Sequence, residues 1–389
     1  MTPEPTHTPN TFASKALVIA VLAGVVIAAC VAAGAADMHG LLRAYLTAWL
    51  FWLEFSIGCF AMLLLHNLTG GKWGFAVRPF ARAGAATLPL MAVLFLPIAL
   101  GIEQLYEWAD AEAVSHDRIL QHKQPYLNAT FFTIRAAAYF VIWIGFWLLT
   151  QAMARKLFAS RDERDGQRLR LASGWGLFTL GLTITFASVD WAMSLEPHWF
   201  SAIYGVMFFI GQCLAGLALV IGCSIWLPHR GWRLPLPTTA QMHDLGKLLF
   251  AFVMLWAYMS FMQFLIIWYG NLPEEVTWYL KRTTHGWGWI AAGLVLLHFF
   301  APFFLLLSRR LKRNPQSLMK IAALVVVMRW VDVWWLIEPA FEKTDLYLPW
   351  LDLLATLVVG GLWLANYAWS VPQEDEFPRR GVPRETATS

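Results

Sequence analysis

The sequence predicts an all-α polytopic membrane protein with ten transmembrane helices. Hydrophobic residues make up 58% of the 389 residues and charged residues only 14%, and a soluble protein could not bury that much apolar surface. Ten apolar runs reach the roughly 20 residues that a helix needs to cross a bilayer core. None of these runs alternates with the two-residue period of a barrel strand, so we predict helices throughout.

The ten runs define one membrane domain at residues 15–371, between polar tails at 1–14 and 372–389. We expect the first tail to be disordered and the second to be a charged cytoplasmic tail. The first run, 16–36, is longer than the apolar core of a signal peptide, so we interpret it as a helix. The other runs are 45–68, 83–106, 130–155, 171–193, 200–226, 243–269, 284–307, 317–337 and 348–371.

Lysine and arginine are distributed unevenly between the loops. They are concentrated after the second, fourth, sixth and eighth runs, for example at Arg155-Lys156 and Arg309-Arg310. By the positive-inside rule these loops are cytoplasmic, and so are both termini. Because the basic residues sit in short loops between apolar runs, the sequence shows no nucleic-acid signature, and the expected surrounding is the lipid membrane.

One motif occurs twice, each time at the end of an apolar run. The first copy lies in F-A-S-V-D-W-A-M-S-L-E-P-H-W at 186–199, and the second contains Val331-Asp332 and Glu338-Pro339. Both copies read V-D-x5-E-P, and each follows a basic loop. The pattern predicts a degenerate internal repeat with halves at about 45–199 and 200–339, each with an acid near the same face of the membrane.

The aspartates of the two motifs are candidate functional residues, because an ionised group at the bilayer centre costs roughly 2.5–3.5 kcal/mol on insertion scales. Asp332 follows Arg329 by three residues, on the same helical face. The two form either a self-neutralising pair or a proton-handling site. Asp190 has no basic residue one turn away, so it either stays protonated or pairs with another helix, for which Arg135 is the nearest candidate.

Two further candidates are polar side chains within apolar runs. Glu54 lies deep in the second run, which favours a functional role. Thr183 shares a helical stripe with Thr179, Asp190 and Ser194. Such a stripe could carry a proton, or its hydroxyls could bond their own helix backbone and serve packing.

Histidine and cysteine patterns bear on cofactors. His298 lies in the eighth run, and a b-type haem would need a second histidine at similar depth, which the sequence does not offer. The cysteines all lie in apolar runs and form no C-x-x-C motif: Cys30, Cys59, Cys213 and Cys223. We therefore expect no metal, no iron–sulfur cluster and no c-type haem in this chain.

A family resemblance rests on several short motifs taken together. They are Leu120-Gln121-His122-Lys123, Tyr126-Leu127-Asn128, Phe131-Phe132, Arg135, Tyr139, Ser188-Val189-Asp190-Trp191, Glu196-Pro197-His198-Trp199, the W-Y-G-N-L-P-E-E turn at 268–275, Asp332 and Glu338-Pro339. In combination they resemble the ActF-type membrane subunit of alternative complex III, within the NrfD/polysulfide-reductase membrane-anchor superfamily. The resemblance covers the second to ninth runs.

The resemblance implies an architecture and a function. Helices 2–5 and 6–9 would form two four-helix bundles, with two peripheral helices, in the bacterial inner membrane. The chain would be a non-redox subunit of a respiratory quinol:cytochrome c oxidoreductase, beside a sister NrfD-like membrane subunit, a periplasmic iron–sulfur subunit and c-type cytochrome subunits carrying haems. Arg135, Asp190 and Asp332 match family positions.

The sequence is compatible with two kinds of function. The resemblance implies a scaffold, with proton conduction or quinone contact as further duties. The competing hypothesis is a secondary transporter with buried carboxylates, because internal repeats and intramembrane acids are typical of transporters too. Transporter sites usually lie near the midplane, whereas most acids of this sequence lie toward the outer face, which favours the redox-complex interpretation.

Overall fold

The structure is a computed structural model that describes residues 37–160, 162–230, 232, 234–341, 346 and 349–371. Every regular element within these ranges is a helix. Eight of the described helices are long and apolar enough to cross a membrane, which confirms the all-α, multi-pass class. The predicted helix at 16–36 and both polar tails lie outside the described residues.

The long helices extend beyond the apolar runs at most of their ends. In chain order they are α1 (Met38–Thr69), α2 (Lys72–Leu100), α3 (Ala129–Ser160), α4 (Glu163–Trp191), α5 (Tyr204–His229), α6 (Thr239–Gly270), α8 (Trp287–Leu307), α9 (Pro315–Ile337) and α10 (Trp350–Ser370). The label α7 is given to an 11-residue helix, Pro273–Thr283, that lies between α6 and α8 and outside the predicted runs. Short helices occupy the connections at Ile102–Leu105, Glu107–Ala109, Ala111–His116, Arg118–Lys123, Met193–Leu195, Arg309–Arg313 and Glu338–Ala340.

Helix α9 corresponds to the predicted run at 317–337 but is not among the eight apolar candidates. It has 23 residues, enough to cross a bilayer core, and it carries Lys320, Arg329 and Asp332. These charges lower its apolar character below that of the other long helices. The apolar run in the sequence predicts the length of α9. Burial of α9 in the molecule requires partners that neutralise its charges.

The centre of the molecule is the crossing of α1 and α5. A Cβ atom on Gly216 would lie 2.3 Å from the backbone carbon of Gly58, and one on Gly58 would lie 1.9 Å from the carbonyl oxygen of Gln212. Only glycine allows two helix backbones to approach this closely. Helices α2, α4 and α10 pack against α1, and α4, α6 and α9 pack against α5.

Prolines interrupt two of the helices. Helix α2 consists of Lys72–Ala85, Leu88–Val93 and Leu96–Leu100, with Pro89 and Pro97 at the starts of the later segments. Helix α8 widens into a π-helix at Leu294–Phe300, directly before Pro302. A proline ring clashes with the carbonyl four residues earlier, which here belongs to His298, and widening the helix relieves the clash.

The two ends of the molecule differ in the residues that they carry. The motif end carries both Glu-Pro sequences, with Met193–Leu195 and Glu338–Ala340 as the short helices there. The basic end carries Arg309–Arg313, the helix that joins α8 to α9.

Candidate functional site

A network of buried charged groups links α1 to α9 in the interior. Arg329 donates from Nε to Oε2 of Glu54 at 3.2 Å, and its Nη2 donates to the other oxygen of that carboxylate. Its Nη1 donates to Oδ2 of Asp332, one turn along α9. Glu54, Arg329 and Asp332 are 0%, 1% and 4% exposed, so the three groups have essentially no contact with the surroundings of the protein.

Three features of the sequence build this network. Arg329 and Asp332 share a face of α9 because they are three residues apart. Glu54 stands near the middle of α1, farther from the helix end than the apolar run at 45–68 suggested. Gly211 of α5 leaves room for the guanidinium, since a Cβ atom there would lie 2.5 Å from Nη2 of Arg329.

Two aromatic residues complete what we call the central network: Glu54, Arg329, Asp332, Trp256 and His298. Trp256 of α6 donates from Nε1 to Oδ2 of Asp332 at 3.1 Å. His298, which lies in the π-helical part of α8, is fully buried with its ring centroid 4.2 Å from that of Trp256. Neither ring nitrogen of His298 has a hydrogen-bond partner among the described residues. A buried imidazole of this kind has room in its hydrogen bonding for a water molecule.

The charges of the central network do not cancel. Glu54 and Asp332 are two carboxyl groups that share one guanidinium, that of Arg329. If both were ionised, a net negative charge would be buried at a depth where charge is costly. The arrangement is therefore neutral when one carboxyl holds a proton, and that proton belongs to the pair rather than to either residue. The arrangement of two carboxyl groups on one guanidinium can hold one proton.

An apolar cleft reaches this network from the side. It has a volume of about 740 Å³ and lies between α6, α7, α8 and α9. Its walls are mainly apolar and aromatic, and they include Met254, Phe261, Phe264, Val295 and Phe300. Its lining also includes Arg329 and Asp332. A cleft of this size falls within the range of about 300–1,000 Å³ that small-molecule sites occupy.

Asp190, the aspartate of the first motif, has a different environment. Arg135 of α3 is the partner expected from the sequence: it donates from Nε and Nη2 to the two oxygens of Asp190 at 2.9 and 2.8 Å. The hydroxyl of Tyr139 donates to the same carboxylate at 2.8 Å. The guanidinium also lies 3.9 Å from the ring centroid of Tyr126 and 4.3 Å from that of Phe131. One arginine here balances one aspartate, so the net charge of this pair is zero.

The hydroxyl stripe on α4 serves the helix itself. Thr183 donates from Oγ1 to the carbonyl of Thr179 at 2.8 Å and accepts a hydrogen bond from Nε1 of Trp143 at 2.8 Å. The hydroxyl of Ser194 donates to the backbone carbonyl of Asp190, not to its carboxylate. These bonds are the ones that the packing interpretation of the stripe expects, and the proton-path interpretation stays a prediction.

Sequence reasoning singled out the glutamates of the motifs without finding their partners. Glu338 forms an ion pair with Arg43, whose Nε lies 3.0 Å from Oε2, and accepts a hydrogen bond from Thr47 Oγ1 at 2.7 Å, both on α1. Glu196 accepts a hydrogen bond from Lys281 of α7 at 2.8 Å and forms an ion pair with Arg282 of the same helix, also at 2.8 Å. Each glutamate thus contacts a basic residue in the other half of the chain, and we call these contacts the cross-half ion pairs.

Other residues of the site were not predicted from the sequence. Trp256 gave no sequence signal, because tryptophan is frequent throughout this chain. Gly211 resembles many other glycines in apolar runs. The π-helix at Leu294–Phe300 could have been suspected from Pro302, which lies inside an otherwise continuous helical run.

Comparisons with protein-family models and with curated proteins found no match to this chain.

Proposed function

We propose that this chain is a membrane subunit of a bacterial respiratory quinol:cytochrome c oxidoreductase of the alternative complex III type. In this proposal it crosses the inner membrane ten times, and both termini lie in the cytoplasm. The second to fifth predicted runs (α1–α4) form one bundle, and the sixth to ninth (α5, α6, α8 and α9) form the other. It acts as a scaffold for a sister membrane subunit, an iron–sulfur subunit and c-type cytochromes. It has no redox centre of its own, and it handles a proton beside a quinone-accessible cleft.

The observation that carries the proposal is the pairing of the central network with the cleft. Asp332 lies where the cleft meets the network, and Glu54 lies on the other side of Arg329. Because both carboxyl groups contact the same guanidinium, either of them can hold the one excess proton without a change in the net charge of the network, and a bridging water molecule would carry that proton between them. This arrangement suits a proton relay that starts at the cleft.

The walls of the cleft fit a quinone in chemical terms. Phe208, Phe261 and Phe299 offer aromatic faces, and the cleft is otherwise mostly apolar. A hydroxyl group that reached the base of the cleft would meet Asp332 and Arg329. The quinone supplies two-electron chemistry when bound, and the residues of this chain would orient its head group and hold or accept a proton at the Asp332 carboxylate.

The cross-half ion pairs favour a scaffold over a secondary transporter. Alternating access requires one repeat to rock against the other. Here Glu196 and Glu338 join the two halves at the motif end, through contacts of 2.8 and 3.0 Å to arginines of the opposite half. Rocking would have to break both contacts in each cycle.

Purification of the tagged chain from its native membrane in mild detergent tests the complex. We expect iron–sulfur and multihaem c-type subunits and a second NrfD-like anchor to co-purify, detected by mass spectrometry and haem staining. A chain that purifies alone, without iron or haem, would contradict the proposal and favour the transporter.

Amide substitutions test the proton site. We expect Glu54→Gln and Asp332→Asn to lower quinol turnover by about tenfold or more, because each removes a carboxyl group from the relay. The matched control is Asp165→Asn, at the far end of α4, where the carboxylate contacts Lys156 at 3.1 Å and no part of the network. Normal turnover in both network variants, with normal assembly, would exclude the relay.

A further inference from the structure

The basic end of the molecule holds a group of cations without matching anions. In the five-residue helix Arg309–Arg313 every residue except Leu311 is basic. Among the described residues, no carboxylate lies within ion-pair distance of Arg309, Arg310, Lys312 or Arg313. The nearby Asp244 is already paired with Lys247 at 3.2 Å. The fold thus keeps like charges together at a cost that an anion would offset.

The fold holds these cations in place by packing. The side chain of Lys312 lies against α6 at Gly246, where a Cβ atom would approach its Cγ to 2.7 Å, and its Nζ lies 6.0 Å from the ring centroid of Phe250. Burial, and then repulsion from Lys247, lowers the pKa of Lys312. The imidazole of His243 lies within electrostatic range of the same group of cations.

The three arginines of this short helix line a groove. It has a volume of about 510 Å³ and is lined by Arg309, Arg310, Arg313, Asn314 and Pro315. Helix α9 begins at Pro315, so the positive end of its dipole adds to the three guanidinium charges. Guanidinium groups bind phosphate oxygens through paired hydrogen bonds, which makes a phosphate group the anion that this groove suits best.

The surroundings of the groove show where such a phosphate would come from. The last turn of α8, directly before the groove, exposes apolar side chains: Phe304 is 62% exposed, Leu305 38% and Leu307 54%. A soluble anion would gain nothing from contact with this apolar surface. A phospholipid would place its acyl chains along it while its head group contacts the arginines.

We propose that the groove formed by Arg309, Arg310 and Arg313 binds the phosphate head group of an anionic phospholipid. The bound lipid would offset one of the positive charges between α8 and α9 and cover the apolar surface at the end of α8. This site lies at the other end of α8 and α9 from the motif end, so it does not depend on the proposed redox role.

The test adds phosphatidylglycerol, phosphatidylcholine or inorganic phosphate to the full chain in detergent and measures bound lipid by native mass spectrometry. We expect the wild type to retain phosphatidylglycerol in preference to phosphatidylcholine. Replacement of Arg309, Arg310 and Arg313 by glutamine should weaken that binding by about a hundredfold, because each basic group near the surface contributes about 1 kcal/mol. Inorganic phosphate should not displace the lipid.

Two further variants make the result specific. Arg164, Arg168 and Arg170 replaced together by glutamine remove the same charge from the first two turns of α4 and should leave phosphatidylglycerol binding unchanged. Arg309, Arg310 and Arg313 replaced together by lysine keep the charge that sets membrane orientation but lose the paired hydrogen bonds, and should bind less lipid than the wild type. Wild-type binding by the glutamine variant, an equal loss in the control, or displacement by inorganic phosphate would each overturn the assignment.

Discussion

At the scale of residues, the two copies of the V-D-x5-E-P motif have acquired different charge balances. Asp190 contacts one arginine, Arg135, and the pair is neutral. Asp332 shares Arg329 with Glu54, so its site holds one acid more than it holds base. The motif aspartate is therefore charge-balanced by one arginine in the first half of the chain, whereas in the second half it competes with Glu54 for one, which is the basis of the proton role that we propose for it.

This difference predicts how the first aspartate responds to substitution. Asp190→Asn should destabilise the protein by about 3–5 kcal/mol, because Arg135, only 8% exposed, would keep its charge without a counter-charge. Thermal unfolding of the purified protein measures the loss. Combining Asp190→Asn with Arg135→Gln should recover part of the stability. If the single variant is as stable as the wild type, the pair does not stabilise the fold.

At the scale of elements, the long connection between α2 and α3 is fastened to the first motif. Lys123 donates from Nζ to the carbonyl of Pro197 at 2.5 Å, and the imidazole of His198 lies 2.6 Å from Oδ2 of Asp117. The hydroxyl of Tyr106 donates to the carbonyl of Trp191 at 3.1 Å. These contacts span both ends of the first motif and hold the connection as a cover over it.

The contact between Asp117 and His198 predicts a pH dependence. The hydrogen bond with His198 is the largest effect and lowers the pKa of the Asp117 carboxyl below its usual value. Burial raises this pKa by less, and the backbone N–H groups of Ile119 and Leu120 lower it further. A carboxyl with a lowered pKa contributes stability above its unfolded value of about 3.9 and loses it as the pH falls through the lowered value.

Hydrogen exchange or limited proteolysis of residues 106–128 measures this effect. We expect protection to fall as the pH drops from about 5 to about 3. In Asp117→Asn the protection should be lower at pH 5 and should not change across this range. A wild-type loop whose protection is the same at pH 5 and pH 3 would contradict this assignment.

At the scale of the whole molecule, the two halves are held together at the motif end by the cross-half ion pairs. Glu338 is fully buried and contacts Arg43 and Thr47 of α1. At the centre, the close crossing of α1 and α5 joins the same halves through backbone contact. A molecule joined both at its centre and at one end is suited to act as a rigid platform for other subunits.

We therefore expect Glu338→Gln to destabilise the molecule by on the order of 3 kcal/mol, since a buried carboxylate is lost from its arginine. The midpoint of thermal unfolding in detergent reports this loss. Glu274→Gln, at an exposed position of α7 outside the cross-half ion pairs, is the matched control and should change stability by less than about 0.5 kcal/mol. Equal midpoints for the two variants would show that the buried contact contributes nothing.

The sequence by itself determined the class of the protein and the pairs that are local or nearly so. Apolar composition and run length indicated membrane helices, because the bilayer imposes a minimum length on every spanning helix. The spacing of Arg329 and Asp332 predicted their contact, because residues three apart share a helical face. The absence of a base near Asp190 in its own helix pointed to another helix, and Arg135 is that partner.

Only the tertiary structure decided which distant residues meet. Glu54 and Arg329 are 275 positions apart, and the packing of α9 beside α1 and α5 brings them together. The cross-half ion pairs, the space left by Gly211 and the cleft beside Asp332 have the same origin. Apolar periodicity shows that a helix is buried but not which neighbour it faces, since lipid and protein interiors are similarly apolar. The charge count of the central network, and with it the proposed proton site, could therefore be read only from the folded chain.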